Sequence, residues 1–415
     1  MKNTRVVITG MGIMSSLGLS IAGFWENLKN GKSGISEIEG FDLENIKSKI
    51  AAQVKNFNPS DFMDKKLSKR MDRFAQFAVA AASTAMEDSN LQIDTNNGYE
   101  IGVYIGSGVG GLKTLEDQHI RLLEKGPHRV SPFLIPMIIS NMAAAQVSIM
   151  SGAKGPVSTT TTACAAGSNA IGDAFKIIQR GDAKVMLCGG SEAPITPLGM
   201  AGFSNMHALS TRNDEPKKAS RPFDRDRDGF VMGEGCGILV LEDLEHAISR
   251  GAKIYAEMFG YGLSGEAYHM TALEKSGENV ARCMKNCLDE GNIGLGKVDY
   301  VNAHGTSTPL NDVVESNSIK KLFGKQAEKI NISSTKSMTG HCLGGAGAIE
   351  AVASVLAIIN DTIPPTINLD NLDKECKGLN YTPKESVSRK VNVAISNSMG
   401  FGGHNVCLGF KKWKK

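Results

Sequence analysis

The sequence predicts an α/β protein whose sheets are covered by helices. Short β-branched runs alternate with longer stretches of helical spacing along the whole chain. Glycine is frequent, at 46 of 415 residues, and tryptophan is scarce, at 2, which suits close helix–sheet packing more than an aromatic binding surface. The 41% hydrophobic and 21% charged content is ordinary for a globular chain, and the length allows roughly two to three domains.

Strands are expected at residues 5–9, 101–105, 157–162, 184–188 and 237–241, and again at 254–258, 298–303, 332–334, 391–396 and 406–410. Helices are expected at 69–87, 165–180, 279–290, 313–322 and 346–359. The first carries Met71, Phe74, Phe77, Ala78, Ala81 and Met86 near helical spacing. A two-fold organisation is expected, with a break near residues 251–256. The uncharged run 130–153 contains Pro136, Asn141, Gln146 and four serines, which are costly in lipid. It reads as a helix buried inside the protein or at a subunit interface, and no membrane is expected as a partner. Residues 31–64 and 210–228 look inserted. The second (STRNDEPKKASRPFDRDRD) reads as a solvated charged loop.

Lys plus Arg (46) nearly balance Asp plus Glu (43), so the net charge of +3 offers no whole-molecule attraction to nucleic acid. The eight cysteines contain no Cys-x-x-Cys pair and read as buried thiols of a reducing compartment. The opening MKNTRVVITG reads directly as a first strand, so no leader is expected ahead of it. The expected location is the cytoplasm, or a plastid or mitochondrial matrix after removal of a transit peptide.

Cys164 is the sharpest single residue. In VSTTTTACAAGSNAIGDAF a β-branched run ends at the cysteine, and small residues then open a helical pattern. A thiol at a helix N-terminus sits near free N–H groups and the positive end of the dipole, which lower its pKa and raise its nucleophilicity. The alternative is a buried structural cysteine. A nucleophile needs acid, base or electrophilic partners. His304 lies just past a strand in NAHGTSTPLND. Lys336 and His341 follow another strand in STKSMTGHCLGGAGAIE, and Phe401 and His404 stand in the Gly loop of NSMGFGGHN. Strand ends are where α/β proteins build their sites. Glycines at 400, 402 and 403 let backbone N–H groups turn toward one point, as an oxyanion hole requires, or simply close a tight hairpin. Gly106-Ser-Gly108-Val-Gly110-Gly111 matches a dinucleotide loop, but no acidic strand end follows about 20 residues later. The histidines lack metal-ligand spacing. Neither a cofactor nor a metal is expected.

These four motifs, in this order, together with VVITGMG, LCGGSEAPITPLGMAGF and RPFDRDRDGFVMGEG, make the chain resemble the β-ketoacyl-acyl carrier protein synthases of the type I/II class, closest to synthase II. The resemblance spans nearly the whole chain. It implies a thiolase-like fold of two similar α/β halves in a five-layer α-β-α-β-α arrangement. Residues 1–252 would carry the nucleophile, and residues 253–415 the two histidines and the lysine. It also implies an acyltransferase of fatty-acid biosynthesis, acting as a homodimer with acyl- and malonyl-loaded acyl carrier protein as its partner. Cys164 would take the acyl chain, and His304 and His341 would stabilise the enolate left by malonyl decarboxylation. The amides of Cys164 and Phe401 would form the oxyanion hole. Lys336 would orient His341, with Glu350 in its network.

Thr306 and Thr308 would bind the pantetheine arm, Phe230 would wall the malonyl pocket, and Phe401 would act as a gate. Val109 and Leu134 would line the acyl tunnel, Leu134 from the partner subunit. Lys65, Lys66, Lys69 and Arg70 would dock the acidic carrier. His207 stands where many relatives carry Arg, and Val109 where synthase II often has Ile. A polyketide-type ketosynthase is the alternative. A synthase III-like site would need Asn where His341 stands, and an inert chain-length factor would lack Cys164.

Overall fold

The computed structural model describes residues 4–414. Ten strands form one continuous sheet. They are β1 (Val6–Ser15), β2 (Ile101–Gly106), β3 (Val157–Ser158), β4 (Val185–Glu192), β5 (Gly235–Asp243), β6 (Ala256–Gly265), β7 (Tyr300–Asn302), β8 (Asn331–Ser333), β9 (Val393–Gly400) and β10 (His404–Lys412). Outward from the middle the order is β1-β5-β4-β2-β3 on one side and β6-β10-β9-β7-β8 on the other. Every strand of the first half therefore has its counterpart five strands later. The pairing directions match as well: the inner pairs are antiparallel and the outer pairs parallel in both halves. The halves join where Val6, Val7 and Ile8 pair antiparallel with Met258, Glu257 and Ala256.

Six helices matter for the layering: α1 (Arg73–Ser89), α2 (Met142–Ser151), α3 (Ala166–Arg180), α4 (Glu278–Glu290), α5 (Pro309–Phe323) and α6 (Ala346–Asn360). In the outer layer on the first half, Phe74 and Phe77 of α1 and Val147 of α2 pack on Val103, Val185 and Val240. In the opposite outer layer, Met284 of α4 and Ile319 of α5 pack on Val301, Ile332 and Ile395. Between the two sets of strands lie α3 and α6, where Ile171, Phe175, Val352 and Val355 meet Met11, Leu239, Leu408 and Phe410. This is the five-layer, thiolase-like arrangement. The middle position explains why α6 is apolar on nearly every side: it has a sheet on both faces. Among the described residues, Leu343–Asn360 is the one helical stretch long and apolar enough to cross a membrane, and it is buried in this middle layer.

The two middle helices are matched in detail. Each has 15 residues and follows a one-turn 3-10 elbow, Ala163–Ala165 for α3 and Leu343–Gly345 for α6. Each elbow opens with a left-handed residue, Ala163 at φ +50° and Leu343 at φ +45°. Such angles are strained for residues with a Cβ and mark built turns. Cys164 and Gly344 thus occupy equivalent places in the two halves.

Several expectations change. The helix expected from residue 69 starts at Arg73, where the Asp72 carboxylate caps it, while Lys65–Ser68 forms a separate turn of helix. The strand expected over 157–162 is paired only at Val157–Ser158. The uncharged run is not one buried helix. It breaks into Leu134–Ile138 and Met142–Ser151 because Ile139 is extended, and it leaves Ile135, Ile139 and Ile149 exposed on this chain. The charged segment 210–228 is not a solvated loop throughout, since Arg221, Asp224 and Arg227 are buried. Arg227 donates to the carbonyls of Thr308 (3.0 Å) and Pro309 (2.7 Å) and pairs with Asp373 at 2.7 Å, so these charges brace the start of α5.

Candidate active site

Cys164 is presented by the elbow before α3, with its backbone against the β9–β10 hairpin. A Cβ on Gly400 would stand 2.4 Å from the carbonyl of Thr162, so only glycine lets the hairpin approach this closely. The backbone N–H groups of Phe401 and of Cys164 itself lie on the sulfur's side and favour its charged form. The thiol was expected to have a lowered pKa. Instead, burial pushes it up to about 12, against the Lys336 charge and those two amides. The reason is desolvation: at 7% exposure the sulfur has lost the water that would solvate a thiolate.

His304 follows β7, and its loop is fixed by a carboxylate from α5. Glu315 Oε1 accepts the N–H of His304 at 2.9 Å, and Oε2 accepts that of Gly305 at 2.8 Å. Glu315 is fully buried, and burial raises its pKa against these bonds. Lys336 was expected to orient His341, but it reaches His304. Its ammonium donates to the His304 carbonyl at 2.6 Å, faces His304 Nδ1 at 3.4 Å and pairs with Glu350. The register is responsible, because parallel β7 and β8 bring the two strand ends side by side. With Nδ1 turned to an ammonium, the ring proton of neutral His304 belongs on Nε2. Burial pushes Glu350 up to about 7 against the Lys336 charge.

His341 lies at right angles to His304, with ring centroids 5.4 Å apart, and edge-on to Phe230 at 5.2 Å. Its Nδ1 is buried with no hydrogen-bond partner among the described residues. Burial, then the Lys336 charge, holds both histidines well below the usual imidazole pKa, with His341 adding to the shift at His304. Both rings are therefore neutral donors beside a protonated thiol.

One cavity of about 370 Å³ gathers Cys164, His304, His341, Phe401, Phe230, Thr306 and Thr308. The two threonine hydroxyls are 2.9 Å apart. Val109 and Leu134 do not line it; Val109 is 42% exposed on the surface of this chain. Lys65, Lys66, Lys69 and Arg70 are exposed outside the cavity. Arg70 stacks on Phe133 at 4.7 Å. His207 lines the cavity from a left-handed turn, φ +55°. The dinucleotide-like loop has its amides committed: those of Gly108 and Val109 bind the Glu192 carboxylate.

Residues 3–247 match the beta-ketoacyl synthase N-terminal domain, and residues 255–370 match the C-terminal domain. The chain belongs to the beta-ketoacyl synthase family. Among its relatives, the 3-oxoacyl-[acyl-carrier-protein] synthase 2 of Synechocystis sp. is 55% identical over 414 residues, covering 100% of this chain and 99% of the relative. The Staphylococcus aureus protein of the same name is 52% identical over 413 residues, with 100% and 99% covered. A beta-ketoacyl synthase from Burkholderia phymatum superposes with TM-score 0.92 at 35% identity over 99% of this chain and 100% of that one. A type II polyketide ketosynthase, solved in complex with its acyl-carrier protein, superposes with TM-score 0.92 at 38% identity, with 100% of both chains covered.

Two features of this family member were missed by sequence reasoning. Glu315 carries no motif of its own, because an acid in mid-helix looks like any solvated residue. The segment after β6 also lines the cavity, through Thr271, Ala272 and Leu273. It is tied to the Gly loop by Glu266 N–H to the Gly403 carbonyl (2.9 Å) and Gly402 N–H to the Met270 carbonyl (2.7 Å).

Proposed function

We propose that this protein is a decarboxylating condensing enzyme of fatty-acid elongation, joining an acyl chain to malonyl-acyl carrier protein to give 3-oxoacyl-acyl carrier protein and carbon dioxide. The observation that carries this reading is the convergence of one thiol, two neutral imidazoles and two backbone amides on a single cavity. The Cys164 sulfur attacks the acyl thioester, its bond to the acyl carbon forms, and the bond to the carrier sulfur breaks. The thiol is protonated at rest, so its proton leaves as it attacks. The ammonium of Lys336 cannot accept it, whereas a neutral imidazole can and then returns it to the departing carrier thiolate.

Malonyl-acyl carrier protein then loses carbon dioxide, and the electron pair moves onto the thioester oxygen. His304 Nε2–H and the ring of His341 donate to this enolate, while Lys336 adds positive charge from behind. The enolate carbon attacks the acyl carbonyl, whose oxyanion falls to the N–H groups of Cys164 and Phe401. Collapse breaks the bond to Cys164, and the sulfur takes up a proton from solvent, the one proton that the overall condensation consumes. Thr306 and Thr308 hold the pantetheine arm, Phe230 walls the malonyl pocket, Phe401 gates the two half-reactions, and Glu350 anchors Lys336. The chain divides into its two halves at residues 252 and 253.

Acyl carrier protein is the partner, received on Lys65, Lys66, Lys69 and Arg70. The active form is a homodimer through the exposed Ile135, Ile139 and Ile149 face, with Val109 and Leu134 at the acyl tunnel beside that face. A polyketide-type role is the second reading, favoured only by the polyketide ketosynthase among the similar structures. At 38% identity that protein is more distant than the two 3-oxoacyl-[acyl-carrier-protein] synthases at 52% and 55%. The test is acyl transfer to Cys164→Ala, followed by mass spectrometry of the intact protein. Wild type should gain the mass of the acyl group and the variant none; an acylated variant would sink the assignment.

A further inference from the structure

We infer that Glu192 is a positioning residue for acyl-chain selection, tying the loop that carries Val109 to the elbow of α6 behind Cys164. The inference rests on the proposed function, in which Val109 borders the path of the acyl chain.

Glu192 ends β4 and is completely buried. Its Oε1 accepts the Ser107 hydroxyl at 2.8 Å and the Val109 N–H at 3.1 Å. Its Oε2 accepts the Gly108 N–H at 2.6 Å and the Gly344 N–H at 3.0 Å. All four partners are neutral. A carboxylate held in the interior by dipoles alone costs desolvation and offers no ion pair in return. What it gives is geometry: four donors from two separate loops are fixed on one group.

The place is telling. Gly344 is the equivalent of Cys164 in the second half. At the first elbow the amide of Cys164 faces the reactive sulfur, and at the second the matching amide is occupied by Glu192. The fit is tight, since a Cβ on Gly344 would stand 2.4 Å from Gly108 N and 2.6 Å from Glu192 Oε2. A Cβ on Gly108 would lie 3.4 Å from the carbonyl of Ala163, the residue before Cys164, so the fastened loop abuts the nucleophile's own turn. The contacts continue outward. Ser107 Oγ also accepts the Gly110 N–H at 3.1 Å, and the Gly111 N–H binds the Ile138 carbonyl at 3.0 Å, at the end of the short helix that begins with Leu134. Val109 is thus bonded to this carboxylate directly, and the short helix that begins with Leu134 is reached from it through the loop 107–111.

Glu192→Gln keeps the shape, but with its NH2 on the side where the Ser107 hydroxyl can turn to accept, the Val109 N–H loses its acceptor and the loop detaches there. The readout is the ratio of kcat/KM for long over short acyl-carrier substrates, measured on the full-length protein. Glu192→Gln should shift that ratio by about tenfold, the scale on which apolar pockets discriminate. Ser107→Ala removes one of the four donors and should shift the ratio the same way by a smaller factor. A Glu192→Gln ratio equal to wild type overturns the assignment. If that variant does not fold, an unchanged ratio in Ser107→Ala overturns it. Val109→Phe tests the underlying reading separately: if its ratio equals wild type, the tunnel assignment falls, and the inference falls with it.

Discussion

The Lys336 ammonium donates to the backbone carbonyl of His304 at 2.6 Å and faces the Nδ1 of the same residue at 3.4 Å. One cation thus fixes both the position of the histidine and the nitrogen that carries its proton. Lys336→Met retains much of the volume and removes the charge. The Nδ1 constraint is then lost, and the ring can present either nitrogen to the enolate. Malonyl decarboxylation, followed as carbon dioxide release, should fall by about a hundredfold, on the scale of losing one oxyanion donor. Acylation of Cys164 should fall less. Equal loss in both half-reactions would mean that Lys336 serves the thiol and not His304.

Glu315 holds the same histidine from the other side, through the N–H groups of His304 and Gly305. Glu315→Gln leaves one acceptor where two are needed and aims an NH2 at an N–H. A buried, charge-assisted bond of this kind contributes about 2 kcal/mol, so urea unfolding should show a loss of that order. Decarboxylation should drop with it while acyl transfer to Cys164 persists. A variant as stable and as active as wild type would remove Glu315 from the support of His304.

The strands and the residues of the candidate site were legible because they are local. Cys164, His304, Lys336, His341 and Phe401 each sit where a β-branched run gives way to small residues or glycines, and such boundaries are visible one segment at a time. The supports were not legible. Glu315 and Glu192 act on backbone amides 10 to 152 residues away, and nothing in their own neighbourhoods distinguishes them from solvated acids. The charged run around Arg227 misled for the same reason, since its partners Thr308, Pro309 and Asp373 are brought to it only by the tertiary fold. Lys336 reaches His304 and not His341, the histidine that the family resemblance gave it, because the parallel pairing of β7 and β8 sets the two strand ends side by side.

Lys65, Lys66, Lys69 and Arg70 form an exposed cationic cluster, and Arg70 is steadied by the Phe133 ring. Replacing Lys69 and Arg70 together by Glu should raise the KM for carrier-linked substrates several-fold and leave small acyl thioesters largely unaffected. The effect should shrink as salt is added, because exposed charges are screened over about 10 Å at 0.1 M. An unchanged KM would move the docking surface elsewhere.

Acid should weaken this protein through the two buried imidazoles of its candidate site. Burial holds His304 and His341 well below the ordinary value of 6.5, so the native state does not take up their protons as the pH falls through that value. The unfolded chain does. Below about pH 6.5 the unfolded state binds more protons, and stability drops as pH falls, by up to about 1.4 kcal/mol per pH unit for each histidine. Denaturation midpoints measured between pH 5 and 7.5 should therefore decline on the acid side, and the His304→Gln/His341→Gln double variant should lose most of that decline between pH 5 and 6.5. Neither imidazole should contribute an inflection to the decarboxylation rate near pH 6.5, since both rings are already neutral there; the group of this network that titrates close by is Glu350, at about 7. A titration midpoint near 6.5 that survives Glu350→Gln would mean that a charged imidazole takes part, and the two-donor account of the enolate would have to be abandoned.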